Sequence, residues 1–74
     1  MITVNIRDEY IRLGQAMKLA GLTDNGSQAK EVIQGGEVSV NGETETRRGR
    51  KLRDGDVFSW KGQEVRVEAP DGGQ

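Results

Sequence analysis

The sequence has no cysteine and no histidine, one proline, and three aromatic residues (Tyr10, Phe58 and Trp60) among its 74 positions. Without cysteine there is no disulfide to staple the chain and no thiolate to act as nucleophile or metal ligand. Without histidine, a zinc site or a proton relay would lack its usual residues. No apolar run approaches the roughly 18 residues of a membrane-spanning helix, and no signal-peptide pattern opens the sequence. A soluble, cytoplasmic protein is therefore expected. The length suits one domain, and such a short chain buries only about 60% of its unfolded surface, so its core is small. Leu, Ile, Val and Phe make up about 22% of the residues, just above the level of roughly 20% that signals disorder in strongly charged chains. With a formal net charge of −1, a folded domain is favoured.

Glycine, by contrast, is abundant, at 11 residues, and predicts many turns between short elements. Residues 1–7 alternate, with Ile2, Val4 and Ile6 on one side, as in a half-buried strand. Asp8 is placed to cap a helix on which Tyr10, Leu13, Met17 and Ala20 form an apolar stripe, with Ile11 and Leu19 at its edge and Gly21 at its end. Gly14, inside that helix, either admits a close neighbour or is simply tolerated. Asn25 or Ser27 can cap a second helix bearing Ala29, Val32 and Ile33, which Gly35 and Gly36 end. The remainder reads as strands. Val38 and Val40 precede Asn41-Gly42, a strong hairpin signal, and a weakly apolar return strand starts at Glu43. Residues 53–56 form a tight turn before a strand over 57–60. If Lys61-Gly62 is a two-residue hairpin loop, Trp60 faces Gln63, Phe58 faces Val65, and Phe58, Trp60, Val65 and Val67 share the core face. Residues 1–69 are read as a single domain and residues 70–74 as a loose tail.

Charge is unevenly distributed. Residues 47–53 carry Arg47, Arg48, Arg50, Lys51 and Arg53 and no acid, whereas the chain on either side is net acidic. Consecutive like charges repel, and a folded domain disperses them unless they serve a partner. The planar fork of arginine suits phosphate. The bland alternative is a solvated loop whose arginines pair with Glu43, Glu45, Asp54 and Asp56. The segment holds no aromatic residue, and all three aromatics read as core residues. That argues against a single-strand stacking platform and for recognition of folded RNA through phosphates, shape and 2′-hydroxyls.

From Arg12 to Val57 the order of short motifs resembles the RNA-binding domain first named for ribosomal protein S-four of the small subunit. The resemblance is carried by Arg12-Leu13, Gly21-Leu22, Ser27 with Ala29, Val32 and Ile33, then Gly36, Val38-Ser39-Val40-Asn41-Gly42, and finally Leu52, Gly55-Asp56 and Val57. The stretch from Glu45 to Lys51 is similar to that of small stand-alone members of the YbcJ type. An acid often follows the Arg-Leu pair, where Gly14 stands here, and an Arg often follows the second-helix Ser, where Gln28 stands here. The resemblance implies an α+β fold, the αL RNA-binding motif, with two N-terminal helices packed on a small, mostly antiparallel curved sheet of about four to five short strands. It also implies an RNA face lined by Arg12, Lys18, Gln28, Lys30 and the cluster Arg47, Arg48, Arg50 and Lys51, with Arg53 alongside.

The function expected is recognition of structured RNA, ribosomal or otherwise stable, by a monomer without cofactor, membrane attachment or small-molecule substrate. Two alternatives stay open. A β-grasp sulfur carrier would use Gly72-Gly73, although Gln74 follows them. A protein–protein adaptor would use the arginine loop on an acidic partner. An enzyme is not expected: Asp54 and Asp56 form a carboxylate pair, but they sit in a turn signature.

Overall fold

Alternating apolar residues build the first strand as the period-two pattern requires. In the computed structural model, which describes residues 1–70, β1 (Ile2–Asn5) buries Val4, and Ile2 and Ile6 are half-buried. The chain then departs from expectation. Asp8 caps no helix and lies in a bend; Tyr10 is not on a helical stripe. Instead a two-residue strand, β2 (Ile11–Arg12), runs straight into α1 (Leu13–Leu19), whose N-cap is Arg12 in an extended conformation. The apolar stripe is real only from Leu13 onward, with Leu13, Ala16 and Met17 buried. Upstream of it, pairing with a distant strand, β5 (Lys51–Leu52), satisfies the backbone that a helix would otherwise have satisfied.

Both helices stop by the same device. Gly21 adopts φ +78°, its N–H bonds Lys18 O, and Leu22 N–H reaches back to Met17 O at 3.0 Å. At the end of α2 (Gly26–Gln34), Gly36 has φ +79° and Glu37 N–H reaches Val32 O at 3.1 Å. A left-handed residue at this point satisfies the last carbonyls, and glycine takes that conformation without a Cβ penalty. At the start of α2, Asn25 rather than Ser27 is the cap. Its Oδ1 accepts from Gln28 N–H at 2.8 Å, while Gln28 Oε1 accepts from Asp24 N–H at 2.8 Å. Gln28 is thus half of a reciprocal capping arrangement.

The five-stranded sheet has the order β1-β7-β6-β3-β4, where β3 is Val38–Val40, β4 Glu43–Thr44, β6 Val57–Trp60 and β7 Gln63–Glu68. Only the β1–β7 pairing is parallel; the others are antiparallel. The expected register of the last hairpin is present, with Phe58 opposite Val65 and Trp60 opposite Gln63. Lys61 and Gly62 both have positive φ, as a tight two-residue turn demands. Asn41 and Gly42 do the same between β3 and β4. One face of the sheet contributes Val4, Val38, Val40, Phe58, Trp60, Val65 and Val67 to a core completed by Leu13, Ala16, Met17, Ala29, Ile33 and Leu52. The other face is polar; Ser39 and Ser59 share a hydroxyl–hydroxyl hydrogen bond across their strands. Trp60 joins the core while its indole N–H donates to Glu37 Oε1 at 3.1 Å. The expected tail begins within the described residues at Pro70; its positions 71–74, including Gly72-Gly73, lie outside them.

Phe58 is fully buried on the central strand β6. Phe58→Ala is expected to cost about 3–5 kcal/mol. A 74-residue domain has a total stability of only about 4–11 kcal/mol at the usual per-residue values. Urea denaturation followed by far-UV circular dichroism should show a large drop in midpoint, or no folded baseline at 25 °C.

Candidate nucleic-acid interface

The basic segment folds around one carboxylate. Glu45 is buried, and its Oε2 accepts hydrogen bonds from Arg47 N–H at 3.0 Å and Arg47 Nε at 2.9 Å. Its Oε1 accepts from Arg47 Nη2 at 3.1 Å and Arg50 Nη1 at 3.0 Å. The fork-on-carboxylate geometry is the strong form of this pair. The Arg47 guanidinium first, with Arg50 in support, holds the Glu45 carboxyl down from 4.5 to about 2, against the opposing effect of its burial. In return the carboxylate raises Arg47.

The other acids considered as partners are used differently. Asp54 Oδ1 accepts from Ala69 N–H, and Asp56 accepts from Arg53 N–H and Asn41 Nδ2. Asn41 also caps Val57 N–H through its Oδ1. It therefore ties the β3–β4 turn to the Asp54–Asp56 turn in addition to forming its own. Among the described residues, Arg12, Lys18, Lys30, Arg48, Lys51 and Arg53 make no ion pair.

Beyond Glu45, the segment docks on the start of α1. In the two-stranded ladder, Arg12 stands opposite Lys51 and Ile11 opposite Leu52, and Leu52 is fully buried, pinning β5 to the core. Leu13 N–H donates to Arg50 O at 2.9 Å and Gly14 N–H to Arg48 O at 3.0 Å, so two of the free N–H groups of α1 are occupied by the basic segment. Arg12 Nη1 donates to Gly49 O at 2.9 Å. Of the two readings of Gly14, close approach is the one realised. A Cβ there would fall 2.7 Å from Arg48 Cγ and 3.3 Å from its Cδ. The absence of a side chain lets the aliphatic stem of Arg48 lie against the helix.

These contacts bring Arg12, Lys18 and Arg48 around an open cleft of about 430 Å³, floored by Gly14 and flanked by Gln15, Gly26 and Gly49. Lys51 and Arg53 extend the positive surface along the ladder, while Arg47 and Arg50 are held by Glu45. Gln28 is occupied in capping, and Lys30 is exposed on α2. One residue was missed by sequence reasoning. Tyr10 is not a core aromatic but half-buried beside the ladder, with Lys51 Nζ 4.7 Å, Arg53 Cζ 5.6 Å and Arg12 Cζ 5.8 Å from its ring centroid. The basic segment therefore does have an aromatic neighbour in space. A period-two reading of Tyr10-Ile11-Arg12 against Lys51-Leu52-Arg53, which puts Ile11 and Leu52 on one side and the cations with Tyr10 on the other, carries the signal.

Two consecutive helices sharing a core with a mostly antiparallel sheet, and a cationic segment laid across the first helix, define the class of small α+β domains built on the αL motif. The chain belongs to the S4 domain family, whose sequence model matches residues 4–68. It is similar to the probable ribosome maturation protein RlbA of Bacillus subtilis (strain 168), with 46% identity over 59 residues, covering 80% of this chain and 83% of that protein. It is also similar to the putative RNA-binding protein YbcJ of Escherichia coli (strain K12), with 38% identity over 60 residues, covering 81% of this chain and 86% of that protein. The solution structure of YbcJ from E. coli, described as revealing an αL motif involved in RNA-binding, superposes with a TM-score of 0.73 at 36% identity, covering 93% of this chain and 89% of that one.

Two measurements check this geometry. Because the Glu45 carboxyl is held below its ordinary value when folded, the stability it contributes is fully present above pH 4.5 and is lost as the pH falls through about 2. Glu45→Gln should cost about 2 kcal/mol at neutral pH, the scale of hydrogen bonds to charged groups, and should flatten that acid limb in thermal melts taken across the pH range. Gly14→Ala gains up to about 1 kcal/mol of helix propensity, but its Cβ would fall 2.7 Å from Arg48 Cγ, an atom close to the backbone that Gly14 N–H holds and so not free to swing aside. Forcing that stem off α1 strains the docking of the basic segment, so the melting temperature should fall and the Arg48 side-chain resonances should shift.

Proposed function

We propose that this protein is a binding module for structured RNA, acting through the cleft formed by Arg12, Lys18 and Arg48 and through the adjoining ladder cations Lys51 and Arg53. The observation that carries this reading is the convergence of five cations from two stretches of chain, β2–α1 and the basic segment, on one surface, none of them in an ion pair among the described residues. Folding that cost no charge neutralisation at these positions leaves the charge for a polyanion. Phosphate feels the field within about a Debye length, roughly 8 Å at physiological salt, so the chain's net charge of −1 is no obstacle.

Structured RNA is favoured over an extended single strand because the surface is a cleft and a ladder edge and not a row of exposed rings. Family membership and the names of the relatives supply the choice of RNA as the polyanion, and the name given to the B. subtilis relative supports a stable, ribosomal RNA as the target. The protein acts as a monomer in the cytoplasm, positions RNA by phosphate and shape contacts, and performs no chemistry itself. The sulfur-carrier alternative depended on Gly72-Gly73, outside the described residues. The adaptor alternative is an outcome of the test below.

The experiment is fluorescence-anisotropy titration of a labelled, folded ribosomal RNA fragment across a salt series. With about four to six phosphates neutralised, log K should fall with log salt at a slope of roughly −3 to −5. Arg48→Ala with Lys51→Ala should make the slope shallower by about 1.5 to 2 and weaken binding to different folded RNAs alike. These two residues test the surface better than Arg47 and Arg50, whose removal strands the Glu45 carboxylate in a buried position. A salt-independent, weak interaction with RNA, alongside nuclease-resistant capture of an acidic protein, would replace this reading with the adaptor.

A further inference from the structure

Arg12 and Lys51 stand directly opposite each other in the two-residue ladder, and Arg53 follows directly after β5. Like charges in directly opposed cross-strand positions are destabilising, and the burial of Leu52 that anchors the ladder does nothing to separate them. A neighbouring carboxylate is the usual remedy, but among the described residues none pairs with Arg12, Lys51 or Arg53. Glu45 serves Arg47 and Arg50, and Asp54 and Asp56 accept from backbone amides and Asn41. What the three cations share is the ring of Tyr10, which lies within 4.7–5.8 Å of all of them.

We propose that Tyr10 is the positioning residue of the binding surface: its ring gathers Arg12, Lys51 and Arg53 where a carboxylate would otherwise stand. The physical difference between the two solutions is functional. A carboxylate would fix the cations and subtract a charge from the surface. An aromatic ring attracts cations through its quadrupole, is itself uncharged, and leaves the full positive charge available to phosphate. The ring also limits where the long side chains wander, so less rotamer freedom remains to be lost when RNA binds. Two of the three cations come from the basic segment and one from the strand that enters α1, so the ring joins the cleft to the ladder as one continuous surface.

This inference rests on the RNA-binding reading, and the test separates the two. The parent, Tyr10→Phe and Tyr10→Leu are titrated with the same folded ribosomal RNA fragment over a salt series. Their melting temperatures and amide NMR spectra are compared without RNA. Phe keeps the ring and should bind within about twofold of the parent. Leu keeps apolar bulk and loses the ring; it should remain folded and bind about fivefold more weakly, the scale of one to two exposed cation–π contacts. A readout independent of RNA is available in the parent itself. The Lys51 ε-methylene and Arg53 δ-methylene protons should be shifted upfield by the ring, in the parent and in Tyr10→Phe, and should return to ordinary positions in Tyr10→Leu. Parent-like binding by Tyr10→Leu, Tyr10→Phe as weak as Tyr10→Leu, or the absence of upfield shifts in the parent each overturns the role of the ring. Failure of the parent to bind RNA at low salt overturns the functional reading, and with it the purpose assigned to the ring.

Discussion

Like-charge repulsion is the constraint around which this small domain is arranged. Five cations within seven residues must be held close to the start of α1, and the molecule answers with a single buried carboxylate. Glu45 takes four hydrogen bonds from Arg47 and Arg50 and thereby fixes the turn in which Arg48 and Gly49 lie. From that point the rest of the placement follows. Arg48 O and Arg50 O reach the first N–H groups of α1, Leu52 enters the core, and β5 pairs with β2. Two cations are given up to make the structure so that the others can face outward.

The division of labour among the acids is as informative as the basic segment. Four carboxylates lie close in sequence to the arginines, yet Glu45 alone pairs with them among the described residues. Asp56 closes the turn before β6 by accepting from Arg53 N–H, Asp54 ties that turn to Ala69 N–H beyond the end of β7, and Glu43 sits on the edge strand β4. A loop neutralised by its neighbours would have had no free charge to offer. The observed arrangement secures the turn geometry and the binding charge with different residues, and the Tyr10 ring removes the need for a further acid on the ladder.

The two places where the chain departs from the wider family pattern now have physical content. Gly14 replaces an acid after Arg12-Leu13 and opens the space in which the Arg48 stem lies; an acidic side chain there would meet that stem and place a negative charge on the floor of the cleft. Gln28 replaces an Arg after Ser27 and is drawn into capping α2 through Asp24 and Asn25. The positive charge is therefore concentrated at α1 and the ladder, and α2 contributes the exposed Lys30, which does not line the cleft.

How much of this was legible in the sequence depends on distance along the chain. Alternation in 1–7, the Asn41-Gly42 and Lys61-Gly62 turns, the Phe58–Val65 register, the glycine stops of both helices and the ordered motifs of the family are all local signals, because period, turn type and capping are set within a few residues of each other. The sequence by itself therefore determined the α+β fold, most elements, the core face of β6 and β7, and the existence of a basic segment. It misplaced Asp8 and Tyr10 because a helical stripe and a strand that runs into a helix share the same first apolar positions. Tertiary structure alone decided between them, through pairing of Ile11-Arg12 with Lys51-Leu52 some forty residues away. It alone decided which carboxylate the arginines use, that Gly14 is there to be approached, and that the one aromatic outside the core belongs to the cations. Each of those outcomes depends on which distant backbone groups must find hydrogen-bond partners and which like charges must be kept apart, and no local pattern encodes either.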